Sequence, residues 1–130
     1  MTGYEFYNFP AFDEARDALR AGNIEVFSPA DHDRAIGFDP MTMDPVSLKK
    51  RMLELDLYWH LFRWDFDAVA TVDALYVLHG ADKSSGANLE VGLAKLLGKL
   101  IFYQSDDTYR DVARIILHSV RERQDGLVVV

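Results

Sequence analysis

Asp73-Ala-Leu-Tyr-Val-Leu-His-Gly80-Ala-Asp-Lys-Ser-Ser-Gly-Ala-Asn-Leu-Glu90-Val-Gly-Leu-Ala-Lys-Leu-Leu-Gly98 decides the fold. Ala74 to Leu78 is a short apolar run rich in strand formers, and Gly80 to Gly86 is a polar turn. Leu89, Leu93, Leu96 and Leu97 then recur at helical spacing until Gly98. The stretch therefore reads as strand, loop, helix. In an open α/β sheet, ligands bind where a strand's carboxyl end meets the next helix, because unpaired N–H groups and the helix dipole favour anions there. Ser84, Ser85 and Gly86 occupy that loop, and Glu90 lies about one turn into the helix, placed to point back at whatever the loop holds.

Upstream, Met1 to Pro10 reads as loop, and Ala11 to Ala21 as a helix with Phe12, Ala15, Ala18 and Leu19 on one face, ended by Gly22. Ile24 to Phe27 is a short strand closed by Ser28-Pro29, and Ala30 to Asp44 reads as a connecting loop. Asp44 caps a helix with Pro45 in its first turn, and the pattern runs on to about Val72. Met52, Leu53, Leu55, Leu57, Tyr58, Trp59, Leu61 and Phe62 leave this segment apolar on nearly every side. Such a helix is either wedged deep in the fold or offers a second burial surface in a homo-oligomer. Downstream, Leu100 to Tyr103 is a strand, Asp106 to Arg123 a helix capped by Asp106 or Asp107, Asp125-Gly126 a turn and Leu127 to Val130 a strand.

Strands separated by helices imply a parallel sheet with right-handed crossovers. The expectation is an α/β, three-layer Rossmann-like (flavodoxin-like) fold with a mostly parallel sheet of about four or five strands. No internal repeat, linker or low-complexity tract interrupts it, so residues 1–130 form one domain, large enough for a single core.

Composition narrows the function. The apolar runs stop short of membrane-spanning length and the amino terminus lacks a signal-peptide pattern, so a cytoplasmic protein without membrane attachment is expected. No cysteine is present and four scattered histidines lack zinc spacing, so neither a metal nor another cofactor is expected. A net charge of −7 and a pI near 4.9 argue against nucleic acid gripping a broad face, while one loop can still hold a small anion.

Three blocks carry a resemblance. Asn8-Phe9-Pro10-Ala11-Phe12, the spacing from Arg63-Trp64-Asp65 to Asp73-Ala74, and Lys83-Ser84-Ser85-Gly86-Ala87-Asn88-Leu89-Glu90-Val91-Gly92-Leu93-Ala94 together resemble the nucleoside 2-deoxyribosyltransferase superfamily, nearest to a branch common in phages. The resemblance extends from about Met1 to Tyr103. It implies that Glu90 is the glutamate that attacks the anomeric carbon of deoxyribose, and that Asp65 donates a proton to the departing base or orients the substrate. The chemistry agrees, since a carboxylate nucleophile divides one hard displacement into two easier ones. A protonated acid beside an ionised nucleophile needs two environments, which burial and like charge can supply. The plainer reading makes Glu90 a solvated helix residue and Asp65 a surface acid.

Ser84 falls where nucleotide-hydrolysing members of the superfamily carry a phosphate-binding serine, and Ser85 and Gly86 complete that loop; equally, the two serines serve as helix caps. Asp73 reads as structural, and His79 as a packed or hydrogen-bonded strand-end histidine. Relatives often begin with a strand leading into Gly-Pro-Met-Thr-Gly, whereas this sequence starts at Met1-Thr2-Gly3; Thr2, Gly3 and Asn8 match the remaining piece, and the resemblance implies that they line the pocket. A parallel sheet cannot leave a slot empty in its middle. Leu127 to Val130 either fills the place between the Ile24 and Ala74 strands, from this chain or a neighbouring subunit, or forms an edge beside Leu100 to Tyr103. Three functions follow: an enzyme that hydrolyses or transfers the N-glycosidic bond of a 2′-deoxynucleoside or its 5′-monophosphate, a nucleotide-binding module without turnover, or a structural protein assembling through its apolar helix.

Overall fold

The computed structural model of the chain describes residues 8–54, 57–104, 118 and 126–130. Its elements in order are α1 (Phe9–Ala21), β1 (Val26–Phe27), α2 (Pro29–Ala35), α3 (Pro45–Glu54), α4 (Leu57–Thr71), β2 (Ala74–Val77), α5 (Ser85–Leu96), β3 (Leu100–Tyr103) and β4 (Leu127–Val129), with a 3-10 turn at Ala81–Lys83. The four strands form one all-parallel sheet in the order β1-β4-β2-β3. The expected helix over Asp106 to Arg123, with its cap, lies outside the described residues except for His118, as do Thr2 and Gly3.

The carboxyl-terminal strand takes the inner position. Leu127 pairs with both Val26 and Ala74, and Val128 with both Phe27 and Leu75. The edge alternative is thereby excluded, and the strand comes from the same chain. Leu127, Val128 and Val129 are fully buried or nearly so, as a strand covered on both faces requires. Gly126 makes the entry possible: its φ is +84°, and a Cβ there would stand 3.0 Å from the Glu25 carbonyl oxygen.

Alternation along the strands separates two cores. Ala74, Tyr76, Leu127 and Val129 face Phe9, Phe12, Ala15 and Leu19 of α1 with Phe38 and Leu48. Leu75, Val77, Val128 and Val130 face Val69 and Val72 at the end of α4 and Ala94 of α5. Helices on both faces of a parallel sheet make the three layers expected.

Several boundaries differ from the sequence expectation, each for a local reason. α1 begins at Phe9, two residues earlier than predicted, because Pro10 fits a first helical turn and Phe9 is fully buried. At its end, Gly22 has φ −86° and Asn23 takes the left-handed conformation. The region from Ala30 to Asp44 is not simply a loop, for Ser28 and Pro29 start α2, with Asp31 in its first turn. Asp44 caps α3 as expected, its carboxylate accepting from the Ser47 amide at 2.9 Å and the Ser47 hydroxyl at 2.7 Å. On α5 the buried positions are Ala87, Glu90 and Ala94, while Leu89, Leu96 and Leu97 are exposed. Of the leucine repeat only Leu93 packs against the core, so the repeat marks the helix more than its inward face.

α2 touches both α1 and α4, which cover opposite faces, so it lies across the carboxyl end of the sheet. Ion pairs fix it there: Arg34 grips both oxygens of Asp13 at 2.7 Å, and Asp31 is held by Arg16 and Arg20. Arg20 also donates to the Val26 carbonyl at 2.8 Å, on the unpaired side of the edge strand β1. Among the described residues, no helix is long and apolar enough to cross a membrane.

Candidate active site

Three acidic side chains from three helices converge where the strands end. Glu90 sits in the second turn of α5, 7% exposed although its helix carries exposed leucines on either side in sequence. Its carboxylate turns back to the loop: a Cβ built at Gly86 would lie 3.9 Å from Glu90 Oε1 and 3.8 Å from Ser84 Oγ. The absence of a side chain at Gly86 therefore leaves the carboxylate and the loop hydroxyl facing the same space. Asp65, on α4, is partly buried. Asp33, on α2, is 2% exposed and its Oδ2 has no hydrogen-bond partner among the described residues.

Burial and mutual repulsion govern these groups. Desolvation pushes Asp65 up to about 7, and Asp33 up to about 8 with the Asp65 charge adding to the effect. Glu90 is raised well above the ordinary glutamate range, first by desolvation and then by Asp65. Asp65 is thus the group that both of the others sense. Neutral acid and carboxylate coexist near neutral pH in such a cluster, which suits it to proton transfer beside nucleophilic attack. Among the described residues, no three acidic, histidine or cysteine side chains are arranged to hold a metal ion.

The loop that faces Glu90 is built by its own hydrogen bonds. Gly80, at φ +80°, turns the chain out of β2 into the 3-10 turn, and Asn88 Nδ2 returns to the Asp82 carbonyl at 2.8 Å. Ser84 is the N-cap of α5: its Oγ accepts from the Ala87 amide at 3.3 Å. The capping role is therefore real, and it uses only the acceptor side of the hydroxyl, leaving the O–H free to donate to an anion. Ser85 is exposed and Gly86 partly buried.

Asn8 precedes α1 in a left-handed conformation and makes no capping hydrogen bond with its side chain. His79 is exposed, its amide donating to Gln104 Oε1 at 2.9 Å, and it lines a hollow of about 360 Å³ with Asn88, Lys95 and Tyr103 that Glu90 does not border. Asp73 lies beside the strands, its amide donating to the Gly126 carbonyl and its carbonyl accepting from the Leu100 amide.

Asp33 is the site residue that sequence reasoning missed. Ser28-Pro29 was the available signal, because a serine followed by proline opens a helix as readily as it closes a strand. His32 beside it stacks on Trp64 with centroids 4.4 Å apart and planes 12° off parallel, and on His60 at 5.9 Å. Burial, and secondarily His60, lowers the His32 pKa, so the stack holds a neutral imidazole near neutral pH. An open groove of about 590 Å³ runs along this stack, bordered by Phe27, Ser28, His32 and Trp64.

Residues 1–103 match the family described as Domain of unknown function (DUF4406). The chain belongs to the DUF4406 family. Asn8, Asp33, Asp65, Ser84 and Glu90 all lie within the DUF4406 match, whereas β4, which completes the middle of the sheet, lies beyond it. No curated protein and no solved structure matches the chain.

Proposed function

We propose that this DUF4406 protein cleaves the N-glycosidic bond of a 2′-deoxynucleoside or its 5′-monophosphate, passing the sugar to water or to a second base. The observation that carries the reading is the buried Glu90 carboxylate, turned toward the Ser84–Gly86 loop and electrostatically joined to Asp65. A solvated helix residue would point away from the sheet, and a buried acid with no task is costly. The sugar class comes from the resemblance in the three sequence blocks.

In the proposed reaction, Glu90 Oε attacks the anomeric carbon as the carbon–nitrogen bond breaks. The electron pair leaves with the base, which takes a proton from Asp65. The resulting glycosyl ester is opened by water or by an incoming base, whose proton returns to Asp65, and Glu90 is released as a carboxylate. Burial raises Glu90 when the site is empty, but positive charge developing on the sugar ring favours its ionised form. The Ser84 hydroxyl and the first amides of α5 are suited to a 5′-phosphate.

Chromatography of 2′-deoxynucleosides and their 5′-monophosphates incubated with the protein tests this reading. Release of free base by the protein and not by E90Q is expected; intact substrates throughout would overturn it. Melting-temperature shifts with the same monophosphates, without turnover, would point to the binding-module alternative.

A further inference from the structure

A serine at the start of a helix ordinarily accepts a hydrogen bond from the first amides of that helix. Ser28 is the N-cap of α2 and makes no such bond. It is 2% exposed, and its Oγ is buried without a hydrogen-bond partner among the described residues. The His32 amide donates to the Ser28 carbonyl at 3.2 Å, closing the first turn, so the two side chains lie on the same side of α2. His32 Nε2 is likewise buried without a partner. A buried hydroxyl and a buried ring nitrogen left unpaired are both destabilising, and here they occur together, one helical turn apart.

Both residues border the open groove of about 590 Å³ beside β1. That volume falls within the range of small-molecule sites, about 300–1,000 Å³. Its walls include Phe27, 37% exposed at the end of β1, and Trp64, held by its stack on His32 at 4.4 Å. Aromatic walls favour a flat ring. Charge disfavours a phosphate: among the described residues lining the groove the one cation is Arg20, already engaged by Asp31 at 3.1 Å and by the Val26 carbonyl at 2.8 Å, while Glu25 adds an exposed carboxylate. A serine hydroxyl both donates and accepts, and an imidazole nitrogen beside it supplies a second donor or acceptor. We propose that this groove binds an uncharged planar heterocycle whose edge carries an N–H beside a carbonyl, with Ser28 Oγ and His32 Nε2 pairing with that edge and Phe27 and Trp64 packing on the ring. Two sources share this chemistry, the base of the nucleoside proposed as substrate and a separate effector. The first source rests on the function proposed above; the site itself does not.

The test titrates the full chain with uracil, which has such an edge, with 1,3-dimethyluracil, which keeps the ring and loses both N–H groups, and with inorganic phosphate. The Trp64 indole and His32 imidazole signals are followed by nuclear magnetic resonance. Saturable shifts with uracil are expected, with weaker binding of 1,3-dimethyluracil and none of phosphate. S28A should weaken uracil about three- to tenfold, the worth of one hydrogen bond, without lowering Tm, because the free protein gives up only an unpaired hydroxyl. A merely structural serine would show the opposite pattern. H32F keeps an aromatic ring against Trp64, removes Nε2, and should weaken uracil to a similar degree.

No saturable shift with uracil, equal affinity for 1,3-dimethyluracil, or uracil affinity unchanged in both S28A and H32F would overturn the site. With uracil bound, 2′-deoxyuridine added to E90Q separates the sources. Competition between the two identifies the ring as the substrate's base, and an unchanged uracil affinity identifies it as a separate effector; both results support the groove. Saturable uracil binding in a protein that releases no base would overturn the function proposed above and leave the site standing, a result distinct from the first.

Discussion

Removing Leu127 to Val130 should abolish folding. All four side chains are at most 4% exposed, and burying an aliphatic side chain contributes about 1.5–3 kcal/mol, so the segment accounts for about 6–12 kcal/mol. Its loss would also leave the facing groups of β1 and β2 unpaired, including the Glu25 carbonyl that accepts from Leu127 at 2.9 Å and the Tyr76 carbonyl that accepts from Val130 at 2.9 Å. A whole domain has only about 5–15 kcal/mol of stability. A graded version is Leu127→Ala, which creates a cavity between two strands at a cost of about 2–5 kcal/mol and should lower Tm by about 8–20 °C. Tyr103→Ala is the control, because that side chain is 59% exposed on the edge strand and should change Tm by only a few degrees. Far-ultraviolet circular dichroism during thermal and urea unfolding gives all three values. A truncated chain that still melts cooperatively within a few degrees of the full protein would refute the inner placement of β4.

Three further outcomes are expected. Stability should fall as pH rises, because Asp33, Asp65 and Glu90 bind protons more tightly folded than unfolded; the contribution is complete below about pH 4, and that of the two aspartates is lost as pH passes through about 7 to 8. Glu90→Gln should flatten that slope in Tm measured from pH 5 to 9 while eliminating base release, and a slope equal to that of the wild type would count against a buried, protonated Glu90. Ser84→Ala should cost about 0.5–2 kcal/mol through loss of the cap, and should weaken use of 5′-monophosphates more than of unphosphorylated nucleosides in kcat/KM comparisons. Light scattering at micromolar concentration should give at least a dimer, motivated by Trp59 at 61% exposure on α4, and Trp59→Glu should shift the mass toward monomer.

Much of this protein is determined by local sequence. The β2–loop–α5 unit follows from an apolar run, a glycine-rich turn and helical periodicity, all within twenty-six residues, so Glu90 is placed beside its loop by helix geometry alone. Asp44 before Pro45 likewise starts α3 without help from distant residues. The position of Leu127 to Val130 is of another kind. Four apolar residues announce a buried strand, but only the pairing partners on each side decide that it lies between β1 and β2, because hydrogen bonding and burial are satisfied there by residues some fifty to a hundred positions away. The acid cluster belongs with it. Nothing in the spacing of Asp33, Asp65 and Glu90 joins them; the sheet brings their helices to one end, the His32–Trp64 stack fixes α2 on α4, and burial then makes three ordinary carboxyls compete for charge.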